Sequence, residues 1–436
     1  MQNQHNEENA GAGFYGLGIA PAILETLKHL HFKTPTPIQK QAIPIAIQGK
    51  DVVGIAQTGT GKTLAFGIPM IQRISETKWQ GLVVLPTREL ALQVEEALRK
   101  IGHTIGLRTA VLIGGLSLGP QIFALSKKPH IIIATPGRLI DHLQQKSVRL
   151  DGTRIVVLDE ADRMLDMGFL PQIEKIFHAL PKERQTMLFS ATMPPEIMKM
   201  ASRHTKIPVR VEIAPSGTMV ERVTHELFIV PKDQKIRLLG KLLETYRGPT
   251  LVFTRTKHGA NKVVRQIRNN RVSAAEIHSN RSLNQRKEAL GGFKSGKYRV
   301  LVATDIASRG IDVIGIELVI NFDLPSTSDD YIHRIGRTAR AGAGGHAITF
   351  ASPGEQREVR GIERAIRKSL PISKLPELPP QAPVSQLSPR AFVPPPPQRN
   401  YSHPHWQQSR SPRPFHPGGG GGGFHRRRRP PGGNRF

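Results

Sequence analysis

Short, almost wholly apolar runs punctuate the chain as far as Ala351, each followed by a longer stretch in which apolar and polar positions recur with helical spacing. In the first block these runs are Val52–Ala56, Gly81–Leu85, Ile131–Ala134, Ile155–Leu158 and Thr186–Phe189. In the second they are Thr250–Phe253, Ala275–His278, Val300–Ala303, Leu318–Asn321 and Ala347–Ala351. Runs this short, apolar toward both sides and separated by amphipathic segments, predict buried parallel strands of an α/β fold. Because the pattern occurs twice, it predicts two tandem domains, over 12–212 and 223–371. The connection at 213–222 opens with IAPSGT, which carries Pro and Gly and no apolar periodicity and so predicts a hinge.

The composition changes from Pro371 onward. This stretch holds 16 of the 35 prolines, six consecutive glycines (Gly418–Gly423) and the run Arg426–Arg429. It has too little aliphatic material to bury, so 372–436 is expected to be a disordered basic C-terminal tail, and the polar residues 1–11 a disordered N-terminus. The tail's Phe392, Tyr401, Trp406, Phe415 and Phe424 stand among cations. That pattern suits stacking and phosphate contact with single-stranded RNA, and equally a solubilising appendage.

Over the whole chain of 436 residues, 62 Lys and Arg face 34 Asp and Glu, a formal net charge of +28. An excess of that size points to a polyanionic partner or to a protein kept soluble by its charge. There is no cysteine, which excludes disulfides, thiolate nucleophiles and Cys-ligated zinc. The 17 histidines are scattered, so no structural zinc site is expected. No secretory signal and no run near the roughly 18 apolar residues of a membrane span is visible, and a soluble cytoplasmic protein is the expectation.

Candidate chemistry begins at Ala56-Gln57-Thr58-Gly59-Thr60-Gly61-Lys62-Thr63, directly after a predicted strand and opening a predicted helix. This is a P-loop context, with Ala56 where the strict pattern has its first glycine. Glycines let successive N–H groups face phosphate oxygens, Lys62 can reach the β- and γ-phosphates, and the Thr63 hydroxyl can ligate Mg²⁺. Val156-Val157-Leu158-Asp159-Glu160-Ala161-Asp162 then ends an apolar strand in acids. Asp159 is placed to hold the Mg²⁺ shell and Glu160 to orient or deprotonate an attacking water. Downstream, Tyr331–Arg340 carries Arg334, Arg337 and Arg340 at three-residue spacing. Arg337 and Arg340 read either as arginine fingers for a γ-phosphate or as a basic RNA-contacting face.

With these segments in this order, the chain resembles the DEAD-box family of ATP-dependent RNA helicases; Asp159–Asp162 spells DEAD. The resemblance covers about residues 12 to 370 and, with the basic tail, is most like the bacterial RhlE-type group. It implies two tandem RecA-like domains, ATP and Mg²⁺ as cofactors, and RNA-stimulated ATP hydrolysis that separates short duplexes.

It also implies roles for further residues. In Phe32–Gln39, Gln39 would read the adenine edge, and Phe14 upstream would stack on the base. Ser190-Ala191-Thr192, with Asp162 and His333, would couple hydrolysis to strand separation. Thr87, Arg88, Gly115, Thr135, Gly137 and Arg138 in the first domain, and Thr256, Arg286, Thr304 and Gly310 in the second, would contact RNA, while Asp312 would contact the ribose. The sequence departs from the family's pattern at His31 and Ala339, where glycine is usual, and at Leu283, where the glutamine that accompanies Arg286 is expected.

Three activities then compete: an RNA helicase, an ATP-gated RNA clamp with little unwinding, and a DNA helicase. The intact set Lys62, Asp159, Glu160, Arg337 and Arg340 argues against an inactive scaffold, and no DNA-translocation module is visible. Single-stranded and duplex RNA are the expected partners, with ribosomal precursors or RNA-decay proteins beyond them and no membrane.

Overall fold

A computed structural model describes residues 13–57, 59–213, 223–308, 313, 315–339 and 344–378. Thirteen strands are described, in chain order β1 (Val52–Ile55), β2 (Gln80–Val84), β3 (Thr109–Leu112), β4 (Ile131–Ala134), β5 (Thr153–Asp159), β6 (Gln185–Ser190), β7 (Val209–Glu212), β8 (Val223–Ile229), β9 (Thr250–Phe253), β10 (Ala274–Ile277), β11 (Val300–Ala303), β12 (Leu318–Asn321) and β13 (Gly345–Ala351). They form a seven-stranded sheet in the order β3-β4-β2-β5-β6-β1-β7 and a six-stranded sheet in the order β10-β11-β9-β12-β13-β8. Every pairing between these strands is parallel.

All ten apolar runs of the sequence are strands, and nearly all lie inside a sheet, where helices cover both faces. Along β1, β4, β9, β11 and β12 every residue is buried. Alternate residues of each strand enter opposite cores. Val83, Ile131, Ile133 and Val157 join one cluster of the first lobe, whereas Leu82, Val84, Ile132 and Val156 join the other. The pattern of apolar runs does not find β3, β7 or β8. All three are sheet edges, and edges need only one packed face: β3 alternates buried with half-buried residues and β8 opens as Val-Thr-His-Glu.

The lobe boundaries follow the same hydrogen bonds. Ile213 N–H still donates to Ile55 O (3.0 Å), so the expected hinge begins with a residue paired to the first sheet, and 214–222 lie outside the described residues. The second lobe reaches past residue 371, where the sequence places the start of its tail. Leu227 N–H donates to Pro371 O and Ser373 N–H to Leu227 O, both 2.9 Å, laying this segment along the free edge of β8, and Leu378 packs on the lobe's core. A proline-rich composition hides such a pairing because only Ser373 among these residues needs to donate. Residues 1–12 and 379–436 are outside the described residues. Among the described residues no helix is long and apolar enough to cross a membrane.

Candidate active site

Strand order puts the phosphate-binding segments side by side. β6 lies between β1 and β5, with Ile55 opposite Ser190 and Phe189 opposite Asp159. The loops leaving the carboxyl ends of these three strands are 56–61, the DEAD segment and Ser190–Thr192. Ligands bind at this edge of open parallel sheets.

The loop after β1 turns into helix Lys62–Thr77 through Gly59 (φ 84°) and Gly61 (φ 88°), both left-handed. A side chain at Gly61 is excluded twice, by this backbone and because its Cβ would overlap Gln39 Nε2. Thr60 Oγ1 closes the loop by donating to Gln57 O at 2.7 Å. Gln39 spans the loop and the segment before it: its Oε1 accepts from Thr36 N–H (2.9 Å) and its Nε2 donates to Gly61 O (3.0 Å). Lys62 is 6% exposed, its Nζ lies 3.9 Å from Asp159 Oδ1, and among the described residues that ammonium has no hydrogen-bond acceptor. A buried ammonium without acceptors, at a helix N-terminus beside left-handed glycines, fits the phosphates of a nucleotide.

Asp159 is fully enclosed. Burial pushes its carboxyl up to about 6; the Lys62 charge opposes this and the neighbouring Glu160 adds to it. Glu160 holds the left-handed conformation (φ 57°, ψ 51°) at the head of helix Ala161–Asp166, and its Oε2 pairs with Arg163 Nη1. A glutamate held there is strained backbone at a functional site.

Asp162 binds the next loop. Its Oδ2 accepts from Ala191 N–H (3.1 Å), Thr192 N–H (2.9 Å) and Thr192 Oγ1 (3.0 Å), while its own N–H donates to Ser190 Oγ (3.1 Å). Burial favours the protonated acid, but the Lys62 charge and the Thr192 bonds outweigh it and hold the carboxyl below its usual range. The predicted coupling residues of the first lobe are therefore one hydrogen-bonded unit.

The second lobe meets this edge through helix Ser328–Ile335 and the turn after it. Arg337 lines a cleft of about 530 Å³ with Gly59, Lys62, Thr63, Asp159 and Glu160. His333 borders a smaller cavity with Asp162, Arg163, Ala191 and Thr192. Arg334 does not share that face. It is buried under Phe253, donates to Asp305 Oδ1 (2.6 Å) and Oδ2 (2.8 Å), and also reaches Asn321 Oδ1 (3.1 Å) and Asp323 O (2.7 Å). It thereby ties the arginine segment to the segment that follows Thr304. Arg340, Asp312, Gly310 and Thr58 lie outside the described residues.

The predicted RNA residues of the first lobe fall on the other half of the sheet. Thr87 caps the helix after β2, accepting from Leu90 N–H at 3.3 Å. The Gly114-Gly115 turn after β3 receives Arg88, whose guanidinium fills the space that a Cβ at Gly115 would need. Thr135, Gly137 and Arg138 open the helix after β4, and Arg138 donates to Leu116 O at 2.9 Å. In the second lobe Thr256 caps the helix after β9 by accepting from Gly259 N–H (3.0 Å), and Thr304 follows β11.

Two of the residues that the resemblance singles out, Phe14 and Arg286, are buried. Phe14 is buried in the first lobe's core at 4% exposure, while Phe32 and Leu30 are among the apolar residues that line the cleft. Arg286 is buried across the lobes, 3.0 Å from Glu89, and Leu283 beside it packs into the first lobe's core cluster. Motif reading missed Arg163, Glu89, Asp305 and the inward role of Arg334. Arg334 stood inside Tyr331–Arg340, and Glu89, Asp305 and Arg163 each directly follow a residue already singled out (Arg88, Thr304 and Asp162). The departures at His31 and Ala339 are both left-handed, with φ of 61° and 54°, which accounts for glycine being usual there.

A DEAD/DEAH box helicase family model matches residues 36–200, and a helicase conserved C-terminal domain model matches 234–342. The chain is 42% identical over 374 residues, 85% of its length and 80% of the relative's, to the ATP-dependent rRNA helicase rrp3 of Emericella nidulans. It is 42% identical over 369 residues to the DEAD-box ATP-dependent RNA helicase CshA of Geobacillus kaustophilus, covering 84% and 79%. Among solved structures it is similar to S. cerevisiae Dbp5 bound to RNA and ADP BeF3, with TM-score 0.75 and 28% identity over 83% of this chain and 95% of that one. The chain belongs to the DEAD-box family: two tandem RecA-like domains forming an ATP-dependent RNA helicase.

Proposed function

We propose that the enzyme works as a two-lobed clamp, in which the first lobe holds Mg·ATP and the second closes on its γ-phosphate. The observation that carries this reading is Arg337 lining one cleft with Lys62, Thr63, Asp159 and Glu160. Lys62 and the N–H groups of 59–63 hold the phosphates, Phe32 and Leu30 face the base, and Gln39 fixes the loop on which the phosphates rest. Mg²⁺, held through Thr63 and Asp159, neutralises charge on the β- and γ-phosphate oxygens when bound. Glu160 orients and deprotonates water after exchanging its pairing with Arg163. Arg337 and Arg340 stabilise the charge that develops on the γ-phosphoryl group.

Closure is driven by differential affinity, because the γ-phosphate and one continuous RNA strand each contact both lobes only when these are together. The strand runs over Thr87, Arg88, Gly115, Thr135, Gly137 and Arg138, then over Thr256, Thr304 and Gly310, and Asp312 holds the ribose of the nucleotide. These groups offer hydroxyls, N–H donors and guanidinium to sugar and phosphate, so sequence preference is low and the 2′-hydroxyl is read. Hydrolysis is reported to the strand through Asp162, Ser190, Thr192 and His333. The basic tail supports an RhlE-type enzyme of the cytoplasm, and the relatives named as rRNA helicases support ribosomal precursors as substrates.

Steady-state ATPase without nucleic acid, with single-stranded RNA and with matched DNA, using Glu160→Gln as the blank, tests this reading. Stimulation by RNA alone is expected; equal stimulation by DNA overturns it.

A further inference from the structure

Helix Gln356–Ile366 packs at the corner of the second lobe farthest along its sheet from the strands that precede Thr256 and Thr304. Val359, Ile362 and Ile366 bury themselves against Val223 and Leu227 of β8 and Ala347 and Ala351 of β13. Arg357, Arg360, Arg364, Arg367 and Lys368 are all exposed on its outer side. At 3.6 residues per turn Arg357, Arg360 and Arg364 fall within about 60° of arc, opposite the apolar stripe, and extend over roughly 10 Å; Arg367 then ends the helix in the left-handed conformation (φ 54°) and Lys368 follows it.

Three features separate this stripe from an ordinary solvated face. Among the described residues none of these five cations forms an ion pair, whereas Lys206 pairs with Glu183 (2.8 Å) and Arg149 with Asp151 (2.8 Å). The acids of the same segment are occupied elsewhere. Glu355 Oε2 accepts from Ser352 N–H (2.8 Å) and faces Lys235 (3.8 Å), and Glu363 Oε1 accepts from Leu370 N–H (2.9 Å). Glu358 projects to the side, about 100° from Arg357. Finally, the five side chains border one open, shallow depression together with Gly354, Gln356, Glu363 and Ser369.

We propose that this stripe is a second RNA-backbone site, which holds, without ATP, the duplex flanking the strand that the core grips. It rests on the RNA-clamp reading above. Guanidinium groups outnumber ammonium groups on it four to one, and guanidinium binds phosphate oxygens bidentately. It presents no apolar side chain that could form the dry centre of a protein interface.

The test uses the full chain carrying Arg357→Gln, Arg360→Gln and Arg364→Gln together, and two RNAs: a hairpin with a single-stranded extension, and the extension alone. Binding is measured without nucleotide over a range of salt. Loss of three phosphate contacts lowers the salt slope for the hairpin by about 2 to 3 and its affinity roughly tenfold, with little change for the extension alone. The triple Arg→Lys variant retains the slope. The RNA-free ATPase rate of the Gln variant, equal to wild type, reports that the protein is folded. An unchanged hairpin slope, or an equal loss for both RNAs, overturns the proposal. Absence of RNA stimulation in the wild-type enzyme would instead overturn the clamp reading.

Discussion

In the first lobe five buried charged residues gather at the cleft. Lys62, Asp159, Glu160, Asp162 and Arg163 are all under 9% exposed and stand at the carboxyl edge of three adjacent strands. In the second lobe the most deeply buried cation, Arg334, faces inward onto Asp305, Asn321 and Asp323 and holds two segments of its own lobe together. The first set serves binding and chemistry, whereas Arg334 keeps the Arg337 segment and the Thr304 segment in one rigid piece. Motion of the second lobe as a unit then moves the γ-phosphate contact and the RNA contact together.

That contrast can be broken on either side. Glu160→Gln should lower turnover by roughly 10²- to 10⁴-fold with the fold retained, since the amide oxygen can still accept from Arg163 Nη1, seen as lost steady-state ATPase beside retained nucleotide-dependent RNA binding. Arg334→Ala should do the reverse first. Removing one partner of a buried pair costs about 3 to 5 kcal/mol, so the second lobe should unfold earlier in denaturant while nucleotide binding by the first lobe persists.

A third test is pH. Asp159 is raised to about 6 by burial, so its carboxyl is protonated in the fold at pH values where the unfolded chain has already lost the proton. Its contribution to stability is therefore present at low pH and declines as pH rises through about 6. Mg·nucleotide needs the carboxylate, so affinity runs the other way and should fall roughly tenfold between about pH 7 and pH 5. Titration calorimetry at both pH values checks this, and Asp159→Asn should flatten the dependence. The smallest effect belongs to the two left-handed positions: His31→Gly and Ala339→Gly should each add up to about 1 kcal/mol in thermal unfolding, one in each lobe.

Motifs were legible wherever chemistry and backbone demand the same residue. The P-loop needs left-handed glycines and a lysine, and β5 must end in acids, so both stand out in one dimension. Interior strands such as Ile131–Ala134 were legible because both their faces are covered. Three of the four edge strands were not, since β7 reads Val-Arg-Val-Glu and needs tertiary pairing to be recognised. Partner exchange was equally hidden. No local pattern says that Arg163 pairs with Glu160, that Phe14 turns into the core, or that Arg286 finds Glu89 from the other lobe. Each depends on a contact distant in sequence or on a rotamer.

Leu283 in the first lobe's core gives the union of the lobes a temperature dependence. A polar side chain at that position would join them through hydrogen bonds alone, whereas an aliphatic one removes hydrocarbon from water each time the lobes meet. Such a step carries a negative heat-capacity change, and its driving force fades on cooling. The balance between joined and separated lobes is therefore set in part by a thermometer one side chain wide, which leans toward separation in the cold.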